Sequence, residues 1–443
     1  MKNILHFLIE IGKLKKMPRT GFLWLGIKNP KTIAQHTFRV AIMNWILGER
    51  VRPKLDLEKI IKISLVHDLC EVYAGDMTPY WGLLPKDPQK RKEILKKWVR
   101  LPQKIKEKRD KEKFRREKKS LEKLIRNLEP KIKEEIRDCW LEYERLGSRE
   151  GRFVKQGDKI ETLLQAKEYW RNDRTSPVFG WWEEVQELVD ESVLLDFLEE
   201  VKKKAKRKTS LKNILEFLIK INKLKQMPRT GLVFRGVKNP ETIAEQTFRT
   251  AMMAWVLGKR KRIDMGKTLK MVLVHEICEV YAGDATPYDH LLPRPREELK
   301  KMFLNPSKFS KQEREETINY LREVYKTWPK FPKKEKEKIF QKDYRNEKRA
   351  LQKLTLNLPP SLKKEIIDLW ADFKGQITKE GKFVNQVYWI QTYFQALEYL
   401  NEDPKFPIRA WREQMIQIVD DPILLKFFEE LEEKFLSRRR IIF

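Results

Sequence analysis

His67 and Asp68 are adjacent in the apolar stretch Leu65-Val66-His67-Asp68-Leu69-Cys70-Glu71-Val72-Tyr73-Ala74-Gly75-Asp76. Burying an imidazole and a carboxylate among Ile63, Leu65, Val66 and Leu69 costs several kcal/mol unless something satisfies them. A divalent cation is a simple solution, because it takes both groups as ligands at once. Two further candidate ligands lie elsewhere in the chain, His36 in Ala34-Gln35-His36-Thr37 and Asp158 in Gln156-Gly157-Asp158. Two imidazoles and two carboxylates form a mixed nitrogen and oxygen set. Such a set suits Mn, Fe, Co, Ni, Zn or, less well, Mg, and one ion would use all four groups. For His67-Asp68 alone, a buried hydrogen-bonded pair explains the residues equally well. Adding His36 and Asp158 favours the metal.

These groups must be carried by helices. Ile4, Leu5, Leu8 and Ile11 recur at helical spacing, and Met17-Pro18-Arg19-Thr20-Gly21 is a turn punctuated by Pro18 and Gly21. A helix from about Lys31 to Leu47 carries His36. A helix from about Leu57 to Tyr73 carries His67 and Asp68, and Gly75 ends it. A later helix through Ile160, Leu163 and Leu164 carries Asp158. The fold class expected is all-α.

The pattern then repeats. Residues 1–82 match 211–290 nearly position by position, and residues around 112–170 match those around 342–400. A period this long means duplicated domains rather than a solenoid, so the 443 residues divide into domains 1–205 and 206–443, with the basic run Val201–Ser210 between them. The N-terminal helix recurs from Leu211, which marks it as structural rather than a targeting segment. No run approaches the length of a membrane span. The three cysteines, Cys70, Cys139 and Cys278, fit buried thiols of a reducing compartment, and a cytoplasmic protein is expected. Net charge is +30, which favours anionic partners without choosing among them. Residues 86–126 hold 19 basic against seven acidic side chains. This is the pattern of a solvated helix face, with a nucleic-acid surface as the sharper alternative.

The order His36, His67-Asp68, Asp158 resembles the HD-domain metal-dependent phosphohydrolases, in particular the branch of 5′-deoxynucleotidases. The resemblance rests on Met17-Pro18-Arg19-Thr20-Gly21, Thr32-Ile33-Ala34-Gln35-His36, the segment His67 to Pro79, and Phe153-Val154-Lys155 through Asp158-Lys159, Glu161 and Leu164-Gln165-Ala166. It covers most of residues 1–200. It implies that His36, His67, Asp68 and Asp158 hold one metal, which activates a water toward phosphorus. It implies that Glu71 orients or deprotonates that water and that Arg19 clamps the phosphate of a nucleotide substrate. Asp76 would contact the sugar or organise the site, and Lys155 would add positive charge for the substrate. Single-domain members are homodimers, so two tandem HD-type bundles would make a monomer acting as a pseudo-dimer.

The second copy keeps Arg229, His275, Glu279 and Asp284 but places Gln246 at the position of His36, Glu276 at Asp68 and Tyr388 at Asp158. Three of the four ligand positions are changed, so this half is expected to bind no metal tightly and to be catalytically silent. Two competing readings remain at this stage: a nucleic-acid-binding protein with a vestigial metal site, and an HD phosphohydrolase acting on dNTPs, cyclic nucleotides or polynucleotide ends.

Overall fold

The helix that carries His36, Ile33–Gly48, has no solvent-facing side, since all 16 of its residues are buried. Thr32 caps it. The Thr32 hydroxyl accepts from Gln35 N–H and the Gln35 side chain accepts from Thr32 N–H, a reciprocal box that fixes where the helix begins. The structure, a computed structural model, describes residues 1–78, 80–97, 103–170, 178–202, 209–327 and 331–437. Residues 203–208 of the basic run, Pro79, Pro102 and the C-terminal residues 438–443 lie outside the described residues.

The described residues contain no β-strand and form two compact units, His6–Leu218 and Ile219–Phe443 together with Met1–Leu5. In the first unit four helices pack on one another: Ile33–Gly48, Leu57–Val66, Pro130–Arg145 and Arg149–Tyr169. Asp56 caps the second, accepting from Lys59 N–H. Ser148 caps the fourth, accepting from Gly151 N–H. The basic helix Gln103–Ile125 lies against the short helix Glu71–Ala74. It buries Glu117, Ser120, Leu121, Leu124 and Ile125, so one face is committed to the body of the protein. In the second unit, helices Ile243–Gly258, Met265–Val274, Pro360–Gly375 and Lys379–Glu402 pack in the same pairs. Its insertion adds helices Arg296–Leu304 and Lys311–Thr327, which close a separate apolar cluster around Val233, Phe234, Leu299, Leu321 and Tyr325. No described helix is long and apolar enough to cross a membrane.

The helix expected over Leu57 to Tyr73 is two helices. Leu57–Val66 ends before His67, residues 67–70 form a turn, and Glu71–Ala74 follows. Gly75, at φ +77°, ends that piece in a conformation open to glycine.

Helix Arg149–Tyr169 approaches the His36 helix closely at Gly157. A Cβ there would lie 1.7 Å from Asn44 Oδ1. In the second half Val387 stands at the position of Gly157 and Ala254 at that of Asn44, both fully buried. Bulk has moved from one helix to the other. Gly157→Ala is therefore expected to destabilise the first unit by about 1–3 kcal/mol through overpacking. That is a fall of about 2–12 °C in its melting transition. Adding Asn44→Ala should recover part of the loss. A Gly157→Ala protein that melts like the parent would show that this contact does not set the helix spacing.

Candidate metal centre

The turn at 67–70 does chemical work. Successive residues of a regular α-helix point about 100° apart, so neighbouring side chains diverge. Here the backbone tightens, with Leu69 N bonding Val66 O at 3.0 Å and Glu71 N bonding Asp68 O at 3.1 Å. As a result His67 Nε2 and Asp68 Oδ2 come within 3.2 Å of each other.

His36 joins them from the neighbouring helix. Its Nε2 lies 3.3 Å from His67 Nε2, 2.9 Å from Asp158 Oδ1 and 3.8 Å from Asp68 Oδ2. His36, His67 and Asp158 form a buried group whose candidate ligand atoms all lie within 4.8 Å of one another. Asp68 flanks this group. The structure thus brings together all four residues singled out as ligands.

The outer nitrogens fix the ring tautomers. His67 Nδ1 faces the Ser64 carbonyl at 2.7 Å. A carbonyl only accepts, so Nδ1 carries the proton and Nε2 of the neutral ring carries the lone pair. His36 Nδ1 faces Glu161, whose other oxygen accepts from Arg39 Nε at 2.6 Å. Paired with the Arg39 guanidinium, Glu161 serves as the acceptor for an Nδ1 proton, the tautomer that leaves the His36 Nε2 lone pair for an ion. Two imidazole lone pairs and two carboxylates then face one small volume. Such an arrangement repels itself unless a cation sits within it, and the donor set fits a divalent transition ion.

The carboxylates are held ready to bind. Burial raises the Asp68 carboxyl pKa, but in the metal-free centre a protonated His67, which there takes the place of a cation, and Arg19 outweigh it and hold the group below the usual carboxylate range. Burial likewise raises that of Asp158, and in the metal-free centre His36, donating from Nε2, and Lys159 reverse the effect. Tyr143 donates its hydroxyl proton to Asp158 Oδ2 at 2.7 Å, fixing the carboxylate in place.

Arg19 reaches the centre from the turn before the His36 helix. Arg19 N bonds Lys31 O at 3.0 Å and Ile33 N bonds Met17 O at 2.9 Å, tying the turn to the helix start. Arg19 Nη1 donates to Asp68 Oδ2 at 2.6 Å, and Nε lies 3.8 Å from Asp76 Oδ2. Asp76 accepts from Thr20 N at 2.6 Å, so it organises the arginine turn. Glu71 is buried, and its Oε2 has no hydrogen-bond partner. Burial raises its pKa well above the usual range, and Asp68 and Asp76 add to the effect. Lys155 meets the centre through Tyr143. Its ammonium bonds Glu144 at 3.2 Å and lies 3.9 Å from the Tyr143 ring centroid.

Glu161 and Tyr143 were not given roles from the sequence, although a signal existed. In the second half His36, Tyr143, Asp158 and Glu161 become Gln246, Phe373, Tyr388 and Gln391 together, while Arg39, Gln165 and Glu168 persist as Arg249, Gln395 and Glu398. Glu161 is kept only where there is a histidine for it to hold. Glu161→Gln is expected to weaken metal binding about 10–100-fold, as outer partners of metal-bound histidines do. Competition with a chromophoric chelator measures this directly, and unchanged affinity would remove the role.

The second-half counterpart is built differently. Arg229 Nη1 bonds Glu276, and Arg229 Nη2 donates to the Tyr388 hydroxyl at 2.7 Å. His275 Nδ1 donates to Val272 O at 2.6 Å, and its ring lies edge-on to Phe373 and Tyr388. Burial lowers the His275 pKa to about 3. Tyr388 occupies the place of a ligand with an aromatic ring. A second group, Cys278, Glu279 and Glu347, also has ligand atoms within 4.8 Å of one another. There Lys374 pairs with Glu347 and supplies the positive charge.

A family profile described as HD domain matches residues 11–180, 221–344 and 334–431. The chain is similar to the 5′-deoxynucleotidase of Xenopus laevis, 33% identical over 168 residues, which is 38% of this chain and 70% of that protein. It is similar to the human 5′-deoxynucleotidase at 30% identity over 168 residues, 38% of this chain and 69% of that protein. A solved structure of a conserved hypothetical protein from Pyrococcus furiosus is 27% identical, with a TM-score of 0.32 over 45% of this chain and 98% of that one. The chain belongs to the HD domain family and carries the family's domain in both halves.

Proposed function

We propose that the first half is a metal-dependent phosphohydrolase that releases phosphate from nucleoside 5′-monophosphates, deoxynucleotides among them. The observation that carries this is the convergence of His36, His67 and Asp158 on one volume, with Asp68 and Arg19 bonded at its edge. The similarity to 5′-deoxynucleotidases supplies the substrate class.

His36, His67, Asp68 and Asp158 would hold one divalent ion, and manganese, cobalt, iron, nickel, zinc and magnesium all suit the set to differing degrees. When bound, the ion supplies Lewis-acid activation of water and of phosphoryl oxygen. The protein's own residues do the rest. Arg19 offers a planar fork of donors to phosphate oxygens and is held at the centre by Asp68 and Asp76. Glu71 accepts the proton of the attacking water at its unpartnered oxygen. Tyr143 and Glu161 keep Asp158 and His36 in register. The second half is silent, because Gln246 and Tyr388 offer no equivalent ligands and Arg229 is bonded to Tyr388 and Glu276.

A substrate screen tests this reading. With manganese, cobalt or magnesium added, the protein is expected to release phosphate from (deoxy)nucleoside monophosphates far faster than it acts on triphosphates or cyclic nucleotides. Phosphate release from none of the monophosphates would sink the proposal. Preference for triphosphates or cyclic nucleotides would move it to another reaction on the same centre.

A further inference from the structure

A cavity of about 480 Å³ opens in the second half, within the range of small-molecule sites. Arg229, Asp284, Glu276 and Tyr388 line it, at the positions of Arg19, Asp76, Asp68 and Asp158 in the first half. The arginine turn is kept. Asp284 accepts from Thr230 N as Asp76 does from Thr20 N, and Arg229 Nη1 lies 3.0 Å from Asp284 Oδ1. A cavity therefore stands in this half where the ligand set does not.

Its chemistry has shifted away from phosphate. Lys113, Lys155 and Lys159 of the first half become Asp343, Asn385 and Trp389, all three lining the cavity. The one lysine gained, Lys374 at the position of Glu144, is paired with Glu347. Arg229 is shared among Glu276, Asp284 and Tyr388. Against a phosphate, the lining sets five carboxylates, Glu241, Glu276, Asp284, Asp343 and Glu347, beside three cations: Arg229 and Lys374 are paired, and Arg235 is bonded to Gly231 O and Tyr288 and stacked over the Trp411 ring. An uncharged ring system meets something better. Tyr388 and Trp389 stand edge-to-face, centroids 5.3 Å apart, as an aromatic wall. Two acceptors in the lining have no hydrogen-bond partner, Glu276 Oε2 and Asn385 Oδ1. The Glu276 side chain is only 7% exposed, so its free oxygen calls for a donor.

We propose that this cavity binds a neutral nucleoside and hydrolyses nothing. The base packs against Tyr388 and Trp389, and N–H or O–H groups of the ligand donate to Glu276 and Asn385. The ligand class rests on the nucleotide reading of the first half, since a nucleoside is what that reaction leaves behind. The second half would then sense product.

Calorimetric titration of the full chain tests this. The His67→Ala/Asp68→Ala protein, kept in chelator, is titrated with the four common deoxynucleosides and their 5′-monophosphates. One nucleoside is expected to bind per chain, at least tenfold tighter than its monophosphate. Trp389→Lys and Asn385→Lys, which install the first-half residues, should each weaken binding tenfold or more. Trp389→Phe should keep most of it, which separates lost stacking from lost folding, and the melting transition of each variant checks the fold. No binding by any nucleoside, a monophosphate bound as tightly, or binding indifferent to Trp389→Lys would each overturn the proposal. Lost hydrolysis in the parent with nucleoside binding intact would strike the phosphohydrolase reading alone.

Discussion

Replacing His67 or Asp68 with alanine is expected to reduce phosphate release about 10³-fold or more, because the lost Lewis-acid stabilisation is worth several kcal/mol and each 1.36 kcal/mol is about tenfold in rate. Metal content should fall in parallel, from about one ion per chain to near none. The geometry explains the size of the effect. His67 Nε2 lies 3.3 Å from His36 Nε2 and 3.2 Å from Asp68 Oδ2, so it stands between the other ligands. Without it, Asp68 keeps Arg19 and Asp158 keeps His36, Lys159 and Tyr143, but the ring that joins the two carboxylates to one volume is gone. The internal control is the second half, where His275→Ala should change neither metal content nor phosphate release. Mass spectrometry of the dialysed protein and a phosphate-release assay read both quantities. Two ions per chain in the parent, or a His275→Ala protein that loses activity, would show that the second half still works. Circular dichroism of each variant guards against simple unfolding, since His67 is fully packed.

The sequence singled out the candidate ligands because they lie in locally distinctive settings, a polar pair in an apolar run or a lone histidine on an otherwise apolar helix. Duplication made the asymmetry legible, because Gln246, Glu276 and Tyr388 could be read against their counterparts. The turn at residues 67–70 was not legible. Apolar periodicity runs through Leu65, Val66, Leu69 and Val72 without a breaker, so nothing local marks the tightening that lets His67 and Asp68 share a centre. Glu161 was hidden for a different reason. A single carboxylate on a long helix that carries other charges is ordinary, and its partner, His36, lies 125 positions away. Lys155, which the family resemblance offered as positive charge for the substrate, has its ammonium on Glu144 and over the Tyr143 ring, a placement that only the helix geometry shows. The exchange of charges between Lys113 and Glu144 in one half and Asp343 and Lys374 in the other becomes intelligible only once the four positions are seen as neighbours of a buried glutamate, Glu117 or Glu347.

Glu71→Gln separates holding the ion from using it. The substitution keeps the size of the side chain and removes only its capacity to take a proton. It is expected to lower kcat about 10²–10⁴-fold, the usual worth of a positioned base, while metal content stays at about one ion per chain and KM stays within a few-fold of the parent. Stability should move the other way. Burial raises the Glu71 pKa, so its protonated form is favoured in the folded protein. A carboxyl whose folded-state pKa lies above its unfolded value supports folding at low pH and opposes it as pH rises. At neutral pH the charged group therefore costs stability in the metal-stripped protein, and glutamine removes that cost. The melting temperature of stripped Glu71→Gln should equal or exceed that of the stripped parent at pH 7, and the difference should shrink on acidification. A structural residue would behave differently, since its loss would lower activity and melting temperature together. If Glu71→Gln sheds its metal, the group belongs to the ligand set. If kcat is unchanged, the water is deprotonated by another base.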